Sequence, residues 1–133
     1  MEIFEKYGYV KEGVDSFTLK GKEGLERIES AMATLRSREI SKIGPRDVEI
    51  ISDYERQEKV IVKTGEHSRI DLPKSNVLHY TLEPGSWFCI RPSGTEPKIK
   101  IYYGVSSSSL ENADKELELL KQDVLTIVKP LLE

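Results

Sequence analysis

The chain has 133 residues, of which 38% are hydrophobic, and this length and composition suit a single small domain with one core. Its 20 lysine and arginine residues are outnumbered by 23 aspartate and glutamate residues, so the formal charge of −3 argues against a broad surface for nucleic acid. The single cysteine excludes an internal disulfide and no apolar run is long enough to cross a bilayer, so we expect a cytoplasmic protein without a membrane partner.

The first third of the chain predicts one strand followed by one helix. Residues 1–13 form a charged, tyrosine-bearing tail with no clear period, and residues 16–20 favour a short strand. From Lys22 onward, apolar residues recur at helical spacing. They predict a helix with a single buried stripe, made by Leu25, Ile28, Met32 and Leu35.

The middle of the chain predicts strands separated by turns. Residues 41–46 contain Gly44-Pro45 and should form a turn, after which the runs 48–51 and 60–62 are rich in valine and isoleucine, as strands are. The segment 65–68, Gly-Glu-His-Ser, is best explained as a hairpin turn. Strict alternation then marks a strand at Leu78, Tyr80 and Leu82, and the Pro84-Gly85 pair after it suits a type II turn.

The last third predicts two further strands and a long closing helix. Phe88 and Ile90 share one face, as do Ile99, Ile101 and Tyr103, so this apolar side should pack on the helices. The opposite side carries Trp87, Cys89, Lys100 and Tyr102. Ser108 and Glu111 predict a capping box, and the helix after it presents one stripe: Leu110, Ala113, Leu117, Leu120, Val124, Ile127 and Leu131.

One short turn between the last two predicted strands, RPSGTEPK, has the composition of an anion site. Arg91 can give two parallel hydrogen bonds to a phosphate, and Lys98 is a second cation. Ser93 and Thr95 can each donate a hydroxyl hydrogen, while Gly94 can adopt positive φ and turn backbone N–H groups inward. The same residue types are common in ordinary hairpin loops, so composition alone leaves both interpretations open.

Residues 87–105, WFCIRPSGTEPKIKIYYGV, resemble the phosphate-binding loop and flanking strands of the α-D-phosphohexomutases, the phosphoglucomutases and phosphomannomutases. The resemblance extends through residues 72–78, 5–9 and 21–24, so it covers nearly the whole chain, which is similar to the last of four domains in the bacterial enzymes. It implies an α+β fold like that of the TATA-box-binding protein. Such a fold has an antiparallel sheet with two helices on one face, and four or five strands lie between the helices. It also assigns residues 1–13 to the end of a preceding domain or linker, and 14–133 to the domain itself.

The resemblance implies a function as well. The intact enzyme would be an isomerase that transfers a phosphoryl group within a glucose or mannose phosphate, with Mg²⁺ and a hexose bisphosphate activator. This domain would grip the phosphate that is not transferred and would work with the other domains of the same chain. The residues implied for that grip are Arg91, Ser93, Gly94, Thr95 and Lys98. The family's T-A-S-H-N-P-type serine loop and D-x-D-x-D metal loop do not occur in this sequence, so we assign it no catalytic residue, cofactor or metal and expect no activity from it alone.

Two other functions stay open at this point. A nucleic-acid module would need a basic face, whereas the strands around Arg91 offer only Lys98 and Lys100. A protein-interaction domain would use the exposed side of the sheet. The histidines His67 and His79 have no cysteine or acidic residue at ligand spacing in the sequence, and Cys89 has no nearby histidine, so we expect structural roles for all three.

Overall fold

The computed structural model describes residues 9–38, 40–82, 86–93, 96–107 and 109–132. Within these residues, two helices and eight strands follow one another along the chain. They are β1 (Tyr9–Thr18), α1 (Gly21–Ser37), β2 (Lys42–Ile43), β3 (Arg46–Asp53), β4 (Glu58–Ile61), β5 (Glu66–Arg69), β6 (Leu78–Leu82), β7 (Ser86–Pro92), β8 (Lys98–Ser107) and α2 (Leu110–Leu132).

The strands form one antiparallel sheet. Its order is β1-β8-β7-β6-β3-β4-β5, and β2 pairs only with β3. The predicted fold class is confirmed, because the chain is α+β with an antiparallel sheet and two helices, as in the TATA-box-binding-protein-like domain. The strand count was too low: seven described strands, not four or five, lie between the helices. The two that were missed are the two-residue β2 and the fully exposed, polar β5, neither of which has an apolar period.

The core lies between one face of the sheet and the two helices. Alternate residues of β6, β7 and β8 are buried there, as predicted: Leu78, Tyr80, Leu82, Phe88, Ile90, Ile99, Ile101 and Tyr103. In α1, the predicted residues Ile28, Met32 and Leu35 are buried and Leu25 is half-buried. In α2 the predicted stripe is buried from Ala113 to Val124 and then continues through Val128 and Leu132, because the spacing there is four residues instead of three. The side chain of Leu110, the first predicted member, is not among those described. We call the other side of the sheet the open face.

The first strand differs from its prediction at both ends. It begins at Tyr9 and ends at Thr18, and it pairs with β8 along its whole length, from Tyr9 with Ser107 to Thr18 with Lys98. Its helix-facing positions include Lys11, Gly13 and Asp15, so the apolar period that would have revealed the strand is absent. Residues 9–13 of the predicted tail therefore belong to β1, while residues 1–8 lie outside the described residues. The division of the chain at residue 14 stays a prediction.

The start of α2 also differs by one residue. The hydroxyl of Ser109 accepts a hydrogen bond from the backbone N–H of Asn112 at 3.1 Å, so Ser109 is the N-cap. The predicted cap residue, Ser108, lies outside the described residues, as does the predicted Pro84-Gly85 turn. The Gly44-Pro45 turn is present, and Gly44 adopts a φ of +59°. None of the described helices is both long enough and apolar enough to span a membrane.

Ion pairs made by two largely buried arginines hold the helices to the sheet. Arg46, at the start of β3, is only 6% exposed, and its guanidinium donates to Glu116 at 2.5 Å and to Asp123 at 3.4 Å, both on α2. Arg36 of α1 donates to Asp53 at the end of β3 at 3.2 Å. Each helix is thus held by a charge-assisted contact to β3, in addition to the apolar core.

Candidate phosphate-binding site

The β7–β8 hairpin sets the position of the predicted phosphate loop. The last paired residues before the loop are Arg91 with Lys100 and Pro92 with Ile99. Directly opposed residues of an antiparallel pair lie on the same face, and Ile99 points into the core, so Arg91 and Lys100 lie on the open face. Lys98 is two residues before Lys100 on β8 and therefore lies on that face too. The structure thus brings three exposed cations to one side of the sheet, next to the loop.

The described part of the loop is closed by its own backbone. The N–H of Ser93 donates to the carbonyl oxygen of Lys98 at 2.9 Å, and the N–H of Lys98 donates to that of Glu96 at 2.7 Å. Ser93 is exposed, so its hydroxyl is accessible to a ligand. Gly94 and Thr95, the predicted nest and second hydroxyl, lie outside the described residues.

Charges around the loop leave Arg91 accessible. The carboxylate of Glu96 lies 4.0 Å from the ammonium group of Lys98, which is the long limit of an ion pair between two exposed side chains. Within the described ranges, no carboxylate is in ion-pair contact with Arg91. As far as the described residues go, the guanidinium of Arg91 thus has no such contact to break before it meets an incoming anion.

The loop is also fastened to the start of α1, which the sequence did not predict. The N–H of Leu19 donates to the carbonyl oxygen of Pro97 at 2.7 Å. A Cβ atom at Gly24, in the first turn of α1, would lie 3.1 Å from Pro97 Cβ and 2.8 Å from Leu19 Cβ, so only glycine fits this contact without a shift. The sequence did contain a hint of this contact, because a glycine in the first turn of a predicted helix lowers helix stability and is expected mainly where another segment packs closely against it.

The N-terminal end of α1 adds favourable electrostatics for an anion. Lys20 occupies the N-cap position and makes no side-chain hydrogen bond to the first turn. The N–H groups of that turn thus have no side-chain cap, and the positive end of the helix dipole lies beside Pro97. This end of the helix supports the loop and is not a site by itself.

Cys89 and His79 lie on the open face, one pair of residues further from the loop than Arg91. They are direct partners in the β6–β7 register, so the expectation that no histidine lies near Cys89 was wrong, because it considered only neighbours in sequence. Burial raises the pKa of the Cys89 thiol, although the nearby charge of Arg91 acts the other way, so the thiol stays protonated and weakly nucleophilic at neutral pH. Burial lowers the pKa of His79, so its imidazole is neutral at pH 7.

The second histidine also has a partner that the sequence did not predict. Nδ1 of His67, on β5, contacts the carboxylate of Glu58 on the neighbouring strand β4. This contact lies at the far edge of the sheet from the loop. In the part of the chain that the structure describes, no three His, Cys, Asp or Glu side chains converge as metal ligands. No step proposed below passes through a metal ion.

The arrangement is chemically suited to holding an anion. It offers a guanidinium, two ammonium groups, an exposed hydroxyl and a helix end, all on or beside one short hairpin. The described residues around the loop offer donors and positive charge, without an activated nucleophile. Binding and orientation are what these groups can contribute.

Comparisons with known proteins agree with the resemblance seen in the sequence. Residues 19–121 match the model of the family described as phosphoglucomutase/phosphomannomutase, C-terminal domain. The chain is 35% identical over 117 residues to the phosphoglucomutase of Staphylococcus saprophyticus subsp. saprophyticus, a match that covers 88% of this chain and 21% of the relative. Phosphoglucomutases from two strains of Staphylococcus aureus are 34% and 33% identical over 119 residues, which is 90% of this chain and 21% of each relative. The chain thus spans about a fifth of the length of the curated relatives it matches.

Proposed function

The chain belongs to the phosphoglucomutase/phosphomannomutase C-terminal domain family, and from this we propose that it binds the phosphate of a hexose phosphate that is not being transferred. The observation that carries the proposal is the position of Arg91, Lys98 and Lys100, which lie on one face beside a loop with an exposed serine. In the proposed site, Arg91 gives a two-pronged contact to the phosphate oxygens, Ser93 donates its hydroxyl hydrogen, and the lysines neutralise the remaining charge. From the sequence we also propose Gly94 and Thr95 as members of this site.

A grip of this kind contributes to catalysis without touching the reacting atoms. Holding a remote phosphate orients the sugar toward the reacting group and removes translational and rotational freedom before the chemical step. The cluster is small and local, while the chain as a whole carries a charge of −3. This favours a compact phosphate group over a long nucleic-acid backbone, which needs an extended basic surface.

The remaining parts of the proposal concern a longer protein. Since the chain spans about a fifth of its relatives, we propose that the other domains of the same polypeptide carry out isomerisation of glucose or mannose phosphate. Mg²⁺ and a hexose bisphosphate activator belong to that full-length enzyme. We expect the 133-residue chain by itself to bind and not to catalyse, because the sequence lacks the family's serine loop.

An amide NMR titration of the 133-residue chain tests the proposal directly. Glucose 1-phosphate and inorganic phosphate should each cause saturable shifts of the amides of Ser93 and Lys98, whereas glucose should not. Arg91→Ala should weaken both phosphates roughly ten- to a hundredfold, since a charge-assisted contact is worth about 1.5–3 kcal/mol. Arg69→Ala is the matched control, because Arg69 is an exposed arginine on β5, at the far edge of the sheet. Unchanged binding in Arg91→Ala, or no response up to about tens of millimolar phosphate, would contradict the assignment.

A further inference from the structure

The open face of the sheet carries aromatic side chains directly behind the proposed phosphate grip. Tyr102 is two residues from Lys100 on β8, and its partner across the strands is Cys89, two residues from Arg91 on β7. Trp87 lies two residues further along β7, and His79 of β6 is opposite Cys89. We call His79, Trp87 and Tyr102 the aromatic patch. All three are half-buried, so part of each ring is accessible to a ligand.

The indole of Trp87 is fixed in place by a glycine. Gly104 is opposite Trp87 in the β7–β8 register, and a Cβ atom there would lie 2.1 Å from the indole Nε1 and 2.4 Å from Cε2. The indole therefore lies across β8 in the space that any other side chain would occupy. The imidazole of His79 stacks on the indole, with ring centroids 5.4 Å apart and 14° between the planes. The free space over Gly104 and the stacked imidazole of His79 thus fix the position of the Trp87 indole.

The spacing between the cations and the rings suits one small molecule. Two residues of a strand span about 6.7 Å, so the Tyr102 row follows the Arg91–Lys100 row by about that distance. A hexose phosphate is long enough to contact both rows, with its phosphate at the first and its sugar ring at the second, because the Arg91 and Lys100 side chains are long and flexible. On the neighbouring edge strand β1, Val14 is paired with Tyr102 and is 51% exposed. A flat apolar surface with cations at one end is therefore continuous with the loop.

The chemistry of the aromatic patch favours a sugar ring over a second anion. The C–H face of a pyranose packs on aromatic rings, while its hydroxyl groups need hydrogen-bonding partners around the edge. Tyr102 brings a phenolic hydroxyl, and the neutral imidazole of His79 can both donate and accept. Within the described ranges, the lysines and arginine nearest the loop lie on the phosphate side of Tyr102 and not beyond it.

We propose that the aromatic patch is a pyranose subsite: the ring of a hexose phosphate packs on Tyr102, bordered by Trp87 and His79, while its phosphate is held by Arg91 and Lys100. This inference rests on the proposed function and adds to it a role in holding the sugar. It makes Tyr102 and Trp87 ligand-binding residues, and it makes Gly104 a positioning residue that acts through the indole.

Trp87 is the only tryptophan, so its indole reports on the aromatic patch alone. In an NMR titration of the 133-residue chain, inorganic phosphate should shift the loop amides and leave the indole N–H unmoved. Glucose 1-phosphate should shift both, with the same dissociation constant from either signal. It should also bind roughly three- to tenfold more tightly than inorganic phosphate, the effect expected of one aromatic contact.

Variants separate the two parts of the site. Tyr102→Ala should remove the advantage of glucose 1-phosphate and leave the affinity for inorganic phosphate unchanged. Gly104→Ala should act in the same direction by displacing the indole, and its amide spectrum shows whether the sheet is intact. Val10→Ala is the control, since Val10 is 55% exposed on the open face and is paired with Ser106, beyond the aromatic patch.

The outcomes distinguish this inference from the proposed function. If both ligands move the loop, the indole stays silent and the affinities are equal, the pyranose subsite is wrong and the phosphate grip stands. If Tyr102→Ala weakens inorganic phosphate as much as glucose 1-phosphate, the residue acts on the fold and the subsite is likewise wrong. An indole signal that follows protein concentration instead of ligand would mark the aromatic patch as a contact between copies and would overturn the subsite. If neither ligand moves the loop, the proposed function fails, and this inference fails with it.

Discussion

Two buried tyrosine hydroxyls should make the fold sensitive to alkaline pH. Tyr80 and Tyr103 are both at most 1% exposed. Within the described residues the hydroxyl of Tyr80 has no hydrogen-bond partner, and that of Tyr103 lies beside the carboxylate of Asp15 without a hydrogen bond of normal geometry. Burial is the main reason that the pKa of each is raised well above its ordinary value of about 10. The charge of Asp53 adds to the effect at Tyr80, where Arg36 opposes it, and the charge of Asp15 adds to it at Tyr103.

The direction follows from proton binding in the two states. Above about pH 10 the unfolded chain loses the tyrosine protons while the folded chain keeps them, so the free energy of unfolding falls as the pH rises. This stability is fully present below the unfolded-state pKa and is lost as the pH approaches the raised pKa of the folded state. At about pH 11, one unit above the unfolded-state pKa, each tyrosine should have lowered the free energy of unfolding by about 1.4 kcal/mol, and the two together by about 2.8 kcal/mol. That is a large part of the 5–15 kcal/mol that is typical of a small domain.

Urea unfolding at about pH 8, 10 and 11 measures the effect. The double variant Tyr80→Phe with Tyr103→Phe keeps both rings and removes both ionisations. Between pH 8 and pH 11 its free energy of unfolding should therefore fall by about 2.8 kcal/mol less than that of the wild type. Tyr54→Phe, at a half-buried turn residue, controls for the loss of a tyrosine as such. Parallel curves for the wild type and the double variant would show that these hydroxyls are not responsible, and the reasoning from their burial would be wrong.

Two further predictions concern packing and backbone conformation. Ile101→Ala should lower the free energy of unfolding by about 2–5 kcal/mol in urea titrations, because Ile101 is fully buried in the core. Val14→Ala on the open face should lower it by less than about 1 kcal/mol. Similar costs at both positions would contradict the assignment of the two faces. Gly44 and Gly65 both have positive φ, 59° and 76°, but only at Gly44 would a Cβ atom collide, 2.2 Å from a carboxylate oxygen of Asp123. Gly65→Ala should therefore lower the free energy of unfolding by about 1–2 kcal/mol, seen as a lower melting temperature, and Gly44→Ala should lower it by clearly more. Equal shifts in melting temperature would show that the collision at Gly44 is relieved at no cost.

The strands nearest the site could be predicted because their sequence alternates strictly. In β6, β7 and β8, apolar residues occupy every second position, which fixes the faces of the sheet and places Arg91 and Lys100 on the same side. Strand β1 could not be delimited in this way, since Lys11 and Asp15 take helix-facing positions that an apolar residue would normally fill. Strand β5 is exposed throughout and carries no period at all.

Contacts across the fold were beyond the reach of the sequence. The pairing of His79 with Cys89 depends on the register of two strands, and the hydrogen bond from Leu19 to Pro97 joins segments far apart in the chain. The position of the Trp87 indole over β8 can be understood only once Gly104 is known to lie opposite Trp87. The prediction that the loop is a phosphate site rests on local sequence alone, whereas the contacts around the loop depend on tertiary structure.

The hydrogen bond from Leu19 to Pro97 has a consequence for how the site can move. It joins one limb of the loop to the junction of β1 and α1, and the hydrogen bond from Ser93 to Lys98 joins the other limb to β8. The described limbs of the loop, residues 91–93 and 96–98, are therefore not free to move independently of the elements they bind. If these limbs close over the proposed ligand, β8 and the start of α1 must move with them, so the pivot would lie outside the loop.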